Sequence, residues 1–123
     1  MTAPLPPRSG VPAAHRGALR LADRVPAKIA AQAAREVLAD APAADRVPRH
    51  ARPTATIRLR GSTARIRLSL ELGFPAPLGT ICGSVRRHVT DRVESLTGLQ
   101  VSVVLVEIER LYASAGGPRQ RAR

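Results

Sequence analysis

The side chains with the reach to do chemistry are few: His15, His50 and His88, the single Cys82, and a scatter of carboxylates. A metal site needs three or four of these donors to converge. The three histidines show no metal-ligand spacing with one another or with a carboxylate. His88 sits beside Arg87 on a stretch with helical periodicity and reads as an exposed helix residue. Asp91 and Glu94 lie three apart on one helical face, a spacing open to acid–base work. Arg87 and Arg92 stand next to them, however, and ion pairing is the expectation. Cys82 adjoins Ile81 on an apolar stripe, where a thiol is buried and inert. The sequence therefore predicts no catalytic residues, no metal ligands, no cofactor and no small-molecule substrate.

The arginines carry more information. Formal net charge is +11, with Lys28 the one lysine, which suggests an anionic partner. In "TATIRLRGSTARIRLSLEL" four arginines, Arg58, Arg60, Arg65 and Arg67, alternate with apolar residues. Like charges across a strand pair repel, so this patch needs either neutralisation or an anionic partner. Glu107 and Glu109 are the candidates for neutralisation, since they alternate with Val104, Val106 and Ile108 on a later strand. A nucleic-acid platform would carry stacking aromatics. Aromatics make up 2% of the chain, Phe74 and Tyr112 alone, and neither falls in the patch. No G-x-x-G loop joins two helices either, so nucleic acid stays an electrostatic alternative.

The elements that position these residues follow from periodicity. With 44% hydrophobic residues and almost no aromatics, the core must be aliphatic. Residues 1–15 are rich in proline and read as a disordered arm, and residues 114–123, "SAGGPRQRAR", as a flexible basic tail. Residues 16–113 form the domain. Leu19 and Leu21 alternate as in a short strand. Asp23 then suits a helix N-cap, Pro26 falls in the first turn, and Val25, Ile29, Ala33 and Val37 form a buried stripe. The helix should stop near Asp40, before a Pro/Arg-rich loop over residues 40–53.

The next two segments are a hairpin turning at Gly61-Ser62. That register pairs Leu59 with Ala64, Ile57 with Ile66 and Arg58 with Arg65, and a slip by one residue would bury arginine. A second helix begins near Pro77 and carries the stripe Leu78, Ile81, Val85, Val89, Val93 and Leu96. Gly98 supplies its left-handed stop, and a buried strand runs from Val101 to Glu109. The expected fold is α+β, in the order β-α-β-β-α-β, with two helices packed on one face of a small three- to four-stranded sheet. Val103 and Leu105 would then lie on the outer face beside the glutamates. Apolar residues there suggest cover by another chain or by the protein's own tail. Gly79 and Gly83, one turn apart, would allow close approach to a backbone.

Taken together, "RGALRLADRVPAKIAAQAAREV" and the stretch from "ATIRLRGS" to "VSVVLVEI" resemble the alkaline shock protein family of bacterial envelope-stress proteins. The most specific part runs from Gly73 to Ile108, through Val85-Arg86, then Glu94-x-Leu96-Thr97-Gly98-Leu99-x-Val101, then the valine strand. The resemblance implies a non-enzymatic, cytoplasmic interaction or scaffold protein, self-associating or docked to a membrane-anchored partner, with no catalytic residues to carry over. Two features depart from the family pattern: the long loop 40–53, where relatives connect briefly through a Gly-Val step, and the strongly basic charge. The sequence lacks the apolar run of a signal peptide and any window near the ~18 apolar residues of a membrane span, so membrane contact is expected to be peripheral. The lone cysteine fits a reducing compartment.

Overall fold

The computed structural model describes residues 13–113, with side chains described from residue 23 onward. The fold is α+β: helix α1 (Ala13–Ala39), a 3-10 turn (Ala44–Arg46), strand β1 (Thr54–Arg60), strand β2 (Thr63–Phe74), helix α2 (Leu78–Thr97) and strand β3 (Gln100–Ala113). The sheet has the order β1-β2-β3, with β1 antiparallel and β3 parallel to the central β2. Both helices pack on one face, around a core built from Ile66, Leu68 and Leu70 of β2 and Val85, Val89 and Val93 of α2. The arm and tail segments, residues 1–12 and 114–123, lie outside the described residues, and α1 already begins at Ala13.

The strand expected at Leu19 and Leu21 is instead part of α1, so the order is α-β-β-α-β and the sheet has three strands. An alternation of three residues is too short to outweigh the run Ala18-Leu19-Arg20-Leu21-Ala22, all strong helix formers. Asp23 consequently lies inside the helix rather than capping it, and Pro26 sits in its interior. There the missing N–H and the ring's clash with the preceding turn cost about 3 kcal/mol, which the burial of Pro26 against the fold helps offset. The buried stripe is also rotated from expectation. Ala33 is buried as expected and Ile29 and Val37 are half-buried, but Val25 is 58% exposed, and Ala30 and Ala34 are fully buried beside Ala33. Alanines on the buried side let α1 lie close to both α2 and β1.

The hairpin forms in the expected register, Ile57 opposite Ile66 and Leu59 opposite Ala64. Gly61 takes φ +60° at the turn, a conformation open to glycine at little cost. In α2 the stripe buries Ile81, Val85, Val89 and Val93, while Leu96 in the last turn is 56% exposed. Gly79 and Gly83 do not serve close approach within the described chain. Open space surrounds a Cβ at Gly79, and a Cβ at Gly83 would meet only the Arg87 guanidinium of its own helix.

The joint between α2 and β3 is made by the residues of the Glu94-x-x-Thr97-Gly98 sequence. Gly98, at φ +76°, donates its N–H to the Glu94 carbonyl at 2.9 Å. The Thr97 hydroxyl donates to the Val93 carbonyl at 2.6 Å and accepts the Leu99 N–H at 3.1 Å. The Glu94 carboxylate accepts the Val101 N–H at 2.9 Å, and Gln100 N–H reaches the Ser62 carbonyl at 2.8 Å. These side chains close the helix and start the strand, so they are occupied by architecture.

Loop 40–53 is folded against the far end of β2. The strand β1 pairs with β2 only as far as Ser69, leaving the segment from Leu70 to Phe74 without that neighbour. The loop packs there: the Arg46 guanidinium donates to the Phe74 carbonyl, and the Ala43 backbone sits where a side chain on Gly73 would be. Among the described residues, no helix is long and apolar enough to cross a membrane.

Candidate functional site

Because both helices lie on one side, the other face of the sheet is left open, and alternation decides which residues it carries. Hydrogen-bonded pairing arranges them in rows that cross all three strands. One row reads Arg58, Arg65, Val103, and the next reads Thr56, Arg67, Leu105. Neighbours within a row stand about 5 Å apart, and rows roughly 7 Å apart. Together these six residues line a shallow groove of about 360 Å³. Arg58, Arg65 and Arg67 are exposed, Val103 is half-buried, and Leu105 is 46% exposed. The cationic and the apolar residues singled out in the sequence thus form one site. Arg60 lies in the adjoining row opposite Thr63, outside the groove. Thr56 was not anticipated, although its place in the β1 alternation contains the signal.

Among the described residues neither Glu107 nor Glu109 makes an ion pair within 4.0 Å with the hairpin arginines. Glu107 lies opposite Ser69, one row beyond Arg67. A register shift between Leu70 and Glu71 then makes Glu109 the extra residue on β3, so that Arg110 rather than Glu109 faces Glu71. Such a bulge re-aims every later side chain on its strand. Among the described residues the one ion pair within 4.0 Å joins Glu36 to His88, and none of the four hairpin arginines has a carboxylate partner. A first shift, at Ser102, lets Val101 and Val104 both face the core while Val103 turns outward.

The remaining titratable residues are spread over other surfaces. His88 Nε2 lies 2.8 Å from Glu36 Oε1, tying α2 to α1, so His88 does have a carboxylate partner. That hydrogen bond holds the Glu36 carboxyl below its ordinary pKa, against a smaller upward push from burial. Sequence spacing could not reveal this pair, since its members sit on different helices. Asp91 makes no ion pair with Arg87 or Arg92 among the described residues; the Arg87 guanidinium donates to Ser84 Oγ at 3.3 Å instead. Cys82 is partly exposed rather than buried. At the far end of the open face the Tyr112 hydroxyl donates to the Glu71 carboxylate, which holds the phenol pKa above its usual value. Among the described residues, no three of His, Cys, Asp and Glu come together as a metal site would require. His15 and its side chain fall outside the described side chains, and His50 is exposed in the loop.

What this arrangement can do is bind. Three guanidiniums offer planar, multiply donating groups to carboxylates or phosphates, beside two aliphatic side chains that favour an apolar contact. The groove's lining holds one hydroxyl, on Thr56, and no carboxylate, imidazole or thiol. No protein-family model, no curated protein and no solved structure matches this chain.

Proposed function

We propose that this chain is a non-enzymatic interaction module of the envelope-stress type, whose open sheet face docks an acidic segment of a partner protein. The single observation that carries the reading is the groove in which Arg58, Arg65 and Arg67, free of carboxylate partners among the described residues, adjoin Val103 and Leu105. The apolar side of the groove favours a protein segment over a nucleic-acid backbone, which offers phosphates but no aliphatic side chains. The absence of aromatics from the groove points the same way, because base stacking is what holds single strands to a sheet. The resemblance to alkaline shock proteins adds a setting: a cytoplasmic protein brought to the membrane by its partner rather than by a span of its own.

The test compares wild type with Leu105→Glu and with Arg65→Glu/Arg67→Glu, each confirmed as folded by circular dichroism. Affinity capture from the native host, followed by mapping of the bound segment, should give a protein whose acidic stretch binds wild type. Each variant should weaken it by about 30-fold or more, the size expected of a buried anchor. Capture unchanged in both variants would overturn the assignment. So would capture that disappears on nuclease treatment and falls linearly in log affinity with log salt, the signature of counterion release from nucleic acid.

A further inference from the structure

Loop 40–53 does more than connect α1 to β1. Where it folds over the end of β2 it encloses a second groove, of about 490 Å³. Pockets that take small molecules span about 300–1,000 Å³ and combine apolar walls with a few polar groups. Here the accessible apolar wall is Leu38 of α1 with Val47 and Pro48 of the loop, over the buried Leu72 of β2 and Ile81 of α2. The charged residues lining it are Arg35, Arg49, Arg52 and Glu71. The carboxylate is already engaged, since it accepts the Tyr112 hydroxyl. None of the three arginines has a carboxylate within 4.0 Å among the described residues. The groove shares no residue with the one on the open sheet face.

We propose that this groove binds a single-chain amphiphile with an anionic head, a carboxylate or a phosphate monoester, its chain against Leu38, Val47 and Pro48 and its head held by Arg35, Arg49 and Arg52. The two halves of the lining set the two halves of the ligand. A bare anion would satisfy the guanidiniums but leave the aliphatic wall wet. A neutral apolar molecule would cover the wall and leave three cations beside it unpaired. Carboxylate and phosphate oxygens accept paired N–H donors from guanidinium, which makes those heads a better match than an alcohol.

The experiment uses the full chain with its backbone amides followed by NMR. Decanoate, decyl phosphate, decanol and inorganic phosphate are each titrated below the concentration at which they self-associate. The two amphiphilic anions should give saturable shifts, largest in the amides of Leu38, of the loop and of Gly73. Decanol and inorganic phosphate should bind at least about 10-fold more weakly, since one hydrogen bond to a charged group is worth that much. The Arg49→Gln/Arg52→Gln variant should lose at least about 10-fold in decanoate affinity while its thermal midpoint stays put, both side chains being exposed. Phosphatidylcholine vesicles with and without lysophosphatidic acid, a single-chain phosphate monoester, separate the two sources of such a ligand. Displacement of decanoate beyond that caused by phosphatidylcholine alone assigns it to membrane lipid, and equal binding with both vesicles assigns it to a free acyl anion. The proposal is overturned by any of four results: no saturable shift, equal affinity for decanol, inorganic phosphate binding as tightly as decyl phosphate, or the double variant binding like wild type. Shifts centred on Arg58, Arg65 and Arg67 would overturn it as well.

Discussion

Replacing Gly73 with alanine tests whether loop 40–53 is seated on the end of β2. A Cβ built at Gly73 would lie 1.9 Å from the Ala43 carbonyl oxygen, 2.7 Å from its carbon and 2.8 Å from the Ala43 Cβ. Real Cβ atoms essentially never come within 3.0 Å of such neighbours. Ala43 must therefore retreat by about 1 Å or more, because a close-packed contact has no slack to absorb the overlap. Retreat is resisted locally. Ala43 is held at φ +63°, and the turn around it is tied by Ala44 N–H to Ala41 O at 3.2 Å and Arg46 N–H to Ala43 O at 3.0 Å. Inserting a methyl into a site that cannot open freely costs about 1–3 kcal/mol. For a domain near 100 residues that lowers the thermal midpoint by roughly 5–20 °C.

The assay is thermal and urea unfolding followed by far-ultraviolet circular dichroism, with a control that isolates the cause. Ala43→Gly removes the strain of a positive φ and should stabilise the protein by up to about 1 kcal/mol. It should not rescue Gly73→Ala, because the closest clash is with the carbonyl oxygen, which glycine keeps. An unchanged midpoint in Gly73→Ala would refute the reasoning. A double variant as stable as Ala43→Gly alone would refute it too, placing the conflict at the Ala43 methyl. An unchanged midpoint would in addition remove the loop from β2, and with it one wall of the loop groove.

Glu94→Ala should cost about 1–2 kcal/mol by leaving the Val101 N–H without its acceptor, and Glu94→Gln less than half of that; equal urea midpoints for the two variants would remove the hydrogen bond as the cause. Tyr112 is the one tyrosine, so absorbance titration of the phenol reads a single group. It should deprotonate above the usual ~10, and Glu71→Gln should bring the midpoint down, since the Glu71 carboxylate stabilises the neutral hydroxyl. Because this pKa is raised on folding, its contribution to stability is complete below the unfolded value and is lost as pH climbs through the folded one. Glu36 has the opposite sign: its pKa is lowered, chiefly by the His88 hydrogen bond, so its contribution is complete above the ordinary carboxylate range and fades as pH falls through the folded value. Glu36→Gln should flatten the plot of urea midpoint against pH in that acidic window alone; an unchanged slope would show that the pair does not favour the folded state.

Legibility in the sequence tracked how far apart the interacting residues lie. The hairpin was readable to the residue, because a two-residue period with arginine on one face admits a single register. The end of α2 was readable because Thr97-Gly98 is a local signal. At the start of α1, three alternating residues fit a helix as well as a strand, and only the packing of Ala30 and Ala34 decides which side of the helix is buried. The loop's seat was out of reach, since it depends on Ala43 meeting Gly73 across the chain and neither residue announces the other. Of the open face, alternation gave Arg58, Arg65, Arg67, Val103 and Leu105 correctly. It failed at Glu109, where a bulge with no glycine or proline to mark it inverts the pattern.

The same bulge sets the charge that the open face would present to the proposed partner. Had Glu109 faced outward alongside Glu107, the acidic end of the face would have been stronger, and a second copy laid across it in reverse could have matched arginine to glutamate. With Arg110 there instead, opposite Glu71, that end is close to neutral while the other end keeps Arg58 directly across from Arg65. Two such faces brought together would oppose cations with too few carboxylates to answer them. In the free protein the facing pair already costs up to about 1 kcal/mol, a repulsion that any carboxylate placed between the two guanidiniums would relieve. The proposed acidic partner would gain both the new ion pairs and the release of that repulsion, whereas a second copy would have only Glu71 and Glu107 to offer. Val103 and Leu105 sit one strand away in the same two rows, so the partner segment that fits must set an apolar side chain about one strand spacing, roughly 5 Å, from its acidic one.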